Sequence, residues 1–264
     1  MPSKLLKSSS KVNLRNFKLI IEYDGATFKG WQRQGQGERT VQGELEKILA
    51  KIFKVDAVTT IASGRTDSGV HALGQVVSVK AETRMKPKDL QYALNAWLPK
   101  DIAVLKVQEV DLNFHAQYSV KEKTYRYLIL NREHPSVMMR ERSLFYPHQI
   151  NITLMRKAAK VLIGKHDFKS FQAFDLLRAD KNTVRTVQKI TVASHDEWII
   201  IEVTADGFLY KMVRNMVGML LAVGRGQVTV KEVAVILKAK DRNKAATTAP
   251  AHGLSLLKVV YKNN

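Results

Sequence analysis

Ser63-Gly64-Arg65-Thr66-Asp67-Ser68-Gly69-Val70-His71-Ala72 is a polar, glycine-bounded stretch set between two apolar runs, Ala57 to Ile61 and Gln75 to Lys80. Short apolar runs separated by Gly and Ser read as two strands joined by a loop. Upstream, Phe17 to Tyr23 is a further strand that stops at Asp24-Gly25. Thr40 then offers an N-cap to a helix whose apolar residues Val41, Leu45, Ile48, Leu49 and Ile52 fall on one face. Downstream, Pro87 opens a helix carrying Leu90, Ala93, Leu94 and Trp97, and Ile102 to Val110 reads as a strand.

The remainder of the chain repeats the mixture without repeating the sequence. Val120 to Leu130 is a long strand, and Asn151 caps a helix with Leu154, Ala158, Val161 and Leu162. Strands over Val184 to Ala193 and Trp198 to Thr204 precede a helix from Phe208 to about Val223, a shorter one from Val230 to Leu237 and a last strand from Leu256 to Tyr261. The order predicts an α+β fold in two similar halves, residues 17–112 and 113–264, whose sheets could join and leave a cleft between them. Residues 1–16 carry Lys4, Lys7, Lys11 and Arg15 with no acidic residue, which reads as a flexible basic arm, or alternatively as a transit peptide.

Composition narrows the function classes. The chain of 264 residues is 45% hydrophobic and 25% charged, inside the globular range. Its 43 Lys and Arg exceed its 24 Asp and Glu, giving a net charge of +19. That excess repels itself unless a surface meets a polyanion, so nucleic acid is the expected partner, against a merely solvated basic surface. With no cysteine, disulfides, thiolate metal sites and cysteine nucleophiles are excluded, and a reducing compartment, the cytoplasm, is the expectation. The longest apolar stretch, Met216 to Gly224, is far short of the ~20 residues of a membrane span. The histidines are scattered without zinc-ligand spacing, no phosphate-loop lysine motif occurs, and neither a metal nor a cofactor is expected.

Three segments carry candidate chemistry. In the 63–72 loop, glycines at 64 and 69 permit positive φ and close approach of a ligand, and Arg65 can lie near Asp67 as its counter-charge. The same pattern also fits a turn with a surface ion pair, and His71 alone fits a packed histidine. In the strand at 120–130, alternation puts Lys123, Tyr125 and Tyr127 on one face, a cation beside two aromatics that could hold a phosphate and stack a base, or could simply be good β formers. Arg214 lies among apolar neighbours in Met212-Val213-Arg214-Asn215, where desolvation requires a counter-charge: Asp67, an RNA phosphate, or a carboxylate of its own half.

These segments resemble the tRNA pseudouridine synthase A family. The likeness lies in Gly64-Arg65-Thr66-Asp67-Ser68-Gly69-Val70-His71-Ala72, in Tyr23-Asp24-Gly25 with Phe28-Lys29-Gly30-Trp31-Gln32, and in Thr40-Val41-Gln42. It continues through Leu94-Asn95-Ala96, Phe114-His115-Ala116, Tyr125-Arg126-Tyr127, the run Gly164 to Phe171, Met212-Val213-Arg214-Asn215 and the run Thr248 to Leu254. The resemblance covers residues 17 to 262 nearly throughout. It implies a pseudouridine synthase fold with a mixed, mainly antiparallel sheet, a basic cleft for tRNA, a homodimer, no cofactor, and uridines at tRNA positions 38 to 40 in the anticodon stem-loop as substrate. By the same resemblance Asp67 is the nucleophile, Arg214 its partner and Arg65 a cleft residue near the flipped base. Tyr125 packs on the target uridine, with His71 and Leu254 as further substrate contacts. Two departures stand out: Gln117 where the family usually has arginine, and Ala246-Thr247 where glycine and proline are common. A tRNA-binding or RNA-folding module without catalysis, and an N-glycosidase or base exchanger, are the rival readings.

Overall fold

The computed structural model describes residues 13–35, 37–174 and 182–262. The first twelve residues of the expected basic arm lie outside that set, and Leu14, Arg15 and Asn16 belong to the first strand. In chain order the elements are β1 (Leu14–Tyr23), α1 (Val41–Phe53), β2 (Thr60–Ala62), β3 (His71–Glu82), α2 (Pro87–Trp97), β4 (Ile102–Val110) and β5 (Val120–Leu130). There follow β6 (Leu144–Phe145), α3 (Ile152–Val161), β7 (Gly164–Asp167), β8 (Val184–His195), β9 (Trp198–Ala205), α4 (Met212–Gly224), α5 (Val230–Ala239) and β10 (Leu254–Tyr261). No helix among the described residues is long and apolar enough to cross a membrane.

Ten strands, among the described residues, make one sheet in the order β4-β1-β3-β10-β5-β9-β8-β7, with β2 on β3 and β6 on β5. Most pairs are antiparallel; β10 runs parallel to β3 and β6 parallel to β5. The sheets of the two halves thus join into one. The joint is β10, whose Ser255 and Leu256 pair with His71 and Ala72 while Leu254 to Tyr261 pair along β5. This brings the end of the 63–72 loop, the Tyr125 strand and the 248–254 segment side by side, and so positions the site.

Alternation in β1 buries Phe17, Leu19, Ile21 and Tyr23 and gives the sheet a core face. Helix α1 starts where Thr40 Oγ1 accepts from Gly43 N and ends at Lys54 in the left-handed region, and α3 starts where Asn151 accepts from Leu154 N. Helix α4 differs from the pattern. Phe208, Leu209 and Tyr210 extend its apolar periodicity, yet it begins only at Met212, because Lys211 stands at φ 55 and breaks helical propagation. Strand β2 covers Thr60–Ala62 instead of Ala57 to Ile61, since Thr60, Ile61 and Ala62 pair with β3 on Val79, Ser78 and Val77.

The buried helix α4 lies against the segment ahead of β10. A Cβ at Gly218 would come 1.9 Å from the Thr247 carbonyl oxygen, a backbone atom with no flexible end to yield. Gly218→Ala should accordingly cost about 3 kcal/mol by overpacking, read as a lower denaturant midpoint at unchanged m-value. A midpoint equal to that of the unaltered chain would show that this contact gives way freely.

Candidate active site around Asp67

The loop between β2 and β3 is held from both sides by main-chain bonds. Trp31 N donates to Thr66 O at 3.0 Å, Gly69 N to Phe28 O at 3.4 Å and Val70 N to Asp67 O at 3.1 Å. Gly30, at φ +93, lets the 28–31 segment lie this close: a Cβ there would sit 2.8 Å from Thr66 O. Side chains finish the clamp. Tyr23 and Thr66 share a hydroxyl hydrogen bond of 2.8 Å, and Gln75 accepts from Ser63 Oγ while donating to Gly64 O. Asp67 thus projects from backbone with little freedom to move.

Its carboxylate Oδ2 meets Arg214 Nη1 at 3.3 Å, with side-chain exposures of 17% for Asp67 and 14% for Arg214. Of the carboxylates open to Arg214, the one it meets is Asp67, 147 residues away. Arg214 Nε donates to Ala249 O at 2.8 Å, while Ala249 N donates to Arg214 O at 3.1 Å, so α4 and the 248–254 segment orient the guanidinium together. A half-buried ion pair fixed at both ends places a negative charge at a defined point, which is what a nucleophile or electrostatic catalyst requires.

The pair opens on a cavity of about 600 Å³ lined by Arg65, Asp67, Tyr125, Arg214 and Leu254 together with Trp31, Gln117, Lys123, Arg185, Phe208 and Lys211. This size suits one small-molecule-sized group. Tyr125 is 8% exposed and meets Phe208 edge to face at 5.1 Å, making an aromatic wall. Burial, with Tyr23 and the Asp67 carboxylate adding, pushes the Tyr125 phenol well above the ordinary tyrosine value. Tyr23 behind it is raised by burial to about 12. Both phenols therefore stay neutral at pH 7, and Tyr125 offers a ring face and a hydroxyl donor rather than a base.

Among the expected site residues, Asp67, Arg65, Arg214, Tyr125 and Leu254 come together on this cavity, with Arg65 exposed at it and Leu254 buried. His71 is not brought into the group. Its Nδ1 accepts from Gly25 N at 3.0 Å and lies 3.1 Å from Asp24 Oδ1, and its Nε2 lies 3.1 Å from His252 O. One Nδ1 cannot accept from Gly25 and donate to Asp24 together; while it accepts from Gly25, Nε2 is left to donate to the His252 carbonyl. Tyr127, on the same strand face, is fully buried and donates to Pro250 O, a structural role. Phe208, Arg185 and Lys211 line the cavity without having been singled out. The signal for Phe208 is Gly207 before it, which marks a turn; Arg185 is one basic strand residue among many and has no local signal.

The family model described as tRNA pseudouridine synthase matches residues 19–119 and 158–262. The tRNA pseudouridine synthase A of Thermoanaerobacter sp. (strain X514) is 44% identical over 248 residues, covering 94% of this chain and 100% of its own. Those of Bacillus subtilis (strain 168) and Pseudothermotoga lettingae are each 44% identical, over 93% and 94% of this chain and 99% and 100% of theirs. The matched segments contain both partners of the ion pair, and on this similarity the chain belongs to the tRNA pseudouridine synthase family.

Proposed function

We propose that the protein isomerises uridine to pseudouridine at positions 38 to 40 of the tRNA anticodon stem-loop, with Asp67 as nucleophile. The observation that carries this reading is the Asp67–Arg214 ion pair beside the Tyr125–Phe208 wall in a cavity sized for one extruded base. Asp67 adds to the nucleotide as the bond from ribose C1′ to N1 breaks with its electron pair leaving on the base, and the bond to Asp67 breaks again when the base rejoins. The base then turns in place and rejoins through C5, whose proton is lost as N1 gains one. Nothing is oxidised or reduced, so a carboxylate and a place to hold a detached base are sufficient.

Extruding a stacked base costs a few kcal/mol, on the order of the contacts a basic surface makes to phosphate. Arg65, Lys123, Arg185, Lys211 and Arg214 line the cavity with Asp67 as the one acid among the described residues there, which supports a basic cleft between the two halves as the tRNA site. Arg65, exposed at the cavity, is assigned to the flipped nucleotide; Leu254 contacts the substrate; His71 acts behind the loop by holding Gly25 and the 252 carbonyl. A homodimer belongs to the proposal, to be read by sedimentation at assay concentration, and the cytoplasm is its setting.

Tyr125 separates stacking from acid–base work. Stacking is worth about 1–3 kcal/mol, so Tyr125→Ala should lower kcat/KM by about tenfold to a hundredfold while Tyr125→Phe stays within about threefold. Steady-state conversion of anticodon stem-loop RNA checks this. Equal losses for the two variants would make the hydroxyl, not the ring, the working part.

A further inference from the structure

Arg242 is a half-buried cation that the chemistry above leaves unused. Its side-chain hydrogen bonds among the described residues all go to neutral oxygens. Nη1 donates to Ala245 O at 3.0 Å, and Nη2 donates to Asn215 Oδ1 at 3.1 Å and Thr248 Oγ1 at 2.9 Å. Burial opposes its charge and lowers its pKa from the ordinary arginine value. Bonds from a guanidinium are charge-assisted and stronger than neutral ones, so Ala245, Asn215 and Thr248 are held firmly relative to each other. The main chain beside Arg242 is tied down as well: Asp241 N donates to Ser170 Oγ at 2.9 Å, and Ser170 Oγ donates to Ile236 O at 2.6 Å.

Asn215 and Thr248 each adjoin a residue that orients the ion pair. Asn215 follows Arg214 on α4 and is fully buried. Its Nδ2 donates to Phe171 O at 2.7 Å, which leaves Oδ1 to accept from Arg242 and, at 2.6 Å, from Thr248 Oγ1. Thr248 precedes Ala249, whose carbonyl accepts from Arg214 Nε at 2.8 Å and whose N–H donates to Arg214 O at 3.1 Å. The 245–249 segment is thus fastened to the first turn of α4 by side chains at one step and by main chain at the next. Arg242, Asn215 and Thr248 are not among the residues that line the cavity, so their route to the chemistry runs through Ala249. A guanidinium is planar and rigid, so a shift of Ala249 O against Nε also moves Nη1 against Asp67 Oδ2, 3.3 Å away.

We infer that Arg242 is a positioning residue: through Thr248 and Asn215 it fixes the Ala249 carbonyl, and that carbonyl aims Arg214 at Asp67. Its effect on turnover rests on the isomerase reading, and a stability measurement tests the linkage without it. Misplacing a reacting group by about 1 Å costs up to about 10²-fold, so Arg242→Met should lower kcat on anticodon stem-loop RNA by roughly tenfold to a hundredfold while RNA affinity stays within about threefold. Thr248→Val should lower kcat in the same way, and Thr248→Ser, which keeps the hydroxyl, should recover most of the loss. In an Arg214→Ala background Arg242→Met should cost less than about threefold, because no guanidinium remains to be aimed.

Denaturant midpoints give the second readout. Arg242→Met should lower the midpoint less in an Asp67→Asn background than in the unaltered protein, since part of what it loosens is the ion pair that Asp67→Asn has already removed. Midpoint losses that simply add, or a kcat loss of the same size with and without Arg214, would make Arg242 a structural fastening only and overturn the inference. A kcat for Arg242→Met within about twofold of the unaltered protein would overturn it too. Should Arg242→Met fail to fold, Thr248→Val carries both comparisons. No pseudouridine from the unaltered protein would sink the isomerase reading, and the midpoints would then decide the linkage by themselves.

Discussion

Asp67→Ala should bring tritium release from C5-labelled uridine in anticodon stem-loop RNA to background, a fall of at least about 10⁴-fold, with RNA affinity held within about threefold. The two halves of that expectation have different causes. Turnover needs an anion at the reacting carbon, and Asp67 is the one acid among the described residues that line the cavity. Affinity comes from phosphate contacts, to which a carboxylate contributes only repulsion, so its removal should leave binding unchanged or slightly tighter. Asp67→Asn sharpens the test, since its amide oxygen can still accept from Arg214 and keep the loop in place. Release by Asp67→Asn near that of the unaltered protein would exclude nucleophilic attack and point to electrostatic stabilisation by another group. Free uracil appearing in place of pseudouridine would mark an N-glycosidase.

Why Asp67 is legible in the sequence, and Arg185 is not, follows from the range of the forces involved. The loop signature is local: glycines at 64 and 69, with Gly69 at φ +77, and polar residues between two strands are written in ten consecutive residues. The Thr40 and Asn151 caps are equally local, and both helices start where these residues indicate. Strand β2 is misplaced by pattern because apolar Ala57 and Val58 fit a strand whether or not a partner lies beside them. The upstream extension of α4 fails for a related reason, since periodicity continues through Phe208 and Leu209 and carries no sign of the positive φ at Lys211. That break matters to the site, because it turns Phe208 toward Tyr125. His71 shows the converse: a residue beside Asp67 in sequence, engaged by Gly25 and His252 instead of the cavity. The insertion of β10 between β3 and β5 depends on pairing over long separations, which no window of residues contains.

Arg214→Ala is expected to lower kcat by about 10²- to 10³-fold although the residue lies 147 positions along the chain from Asp67. Without the guanidinium the Asp67 carboxylate, at 17% exposure, loses the cation that meets it at 3.3 Å, and breaking such a pair costs up to about 3–5 kcal/mol. Part of that cost falls on the fold, because Arg214 Nε also holds Ala249 O ahead of β10. Arg214→Lys divides the two contributions. A lysine keeps the charge but has one nitrogen where arginine uses two, so it can serve Asp67 or Ala249 but not both in the present geometry. If the ion pair governs catalysis, Arg214→Lys should recover most of kcat while leaving the melting point lowered; if the Ala249 contact governs, kcat and melting point should fall together in both variants. The Asp67→Asn background supplies the control. Once the anion is gone, Arg214→Ala should cost little further turnover, because two residues acting as one unit do not add. A full second loss in the double variant would mean that Arg214 acts on the substrate directly, as a contact to the departing base or its phosphate, and that its pairing with Asp67 is a resting arrangement which the bound RNA displaces.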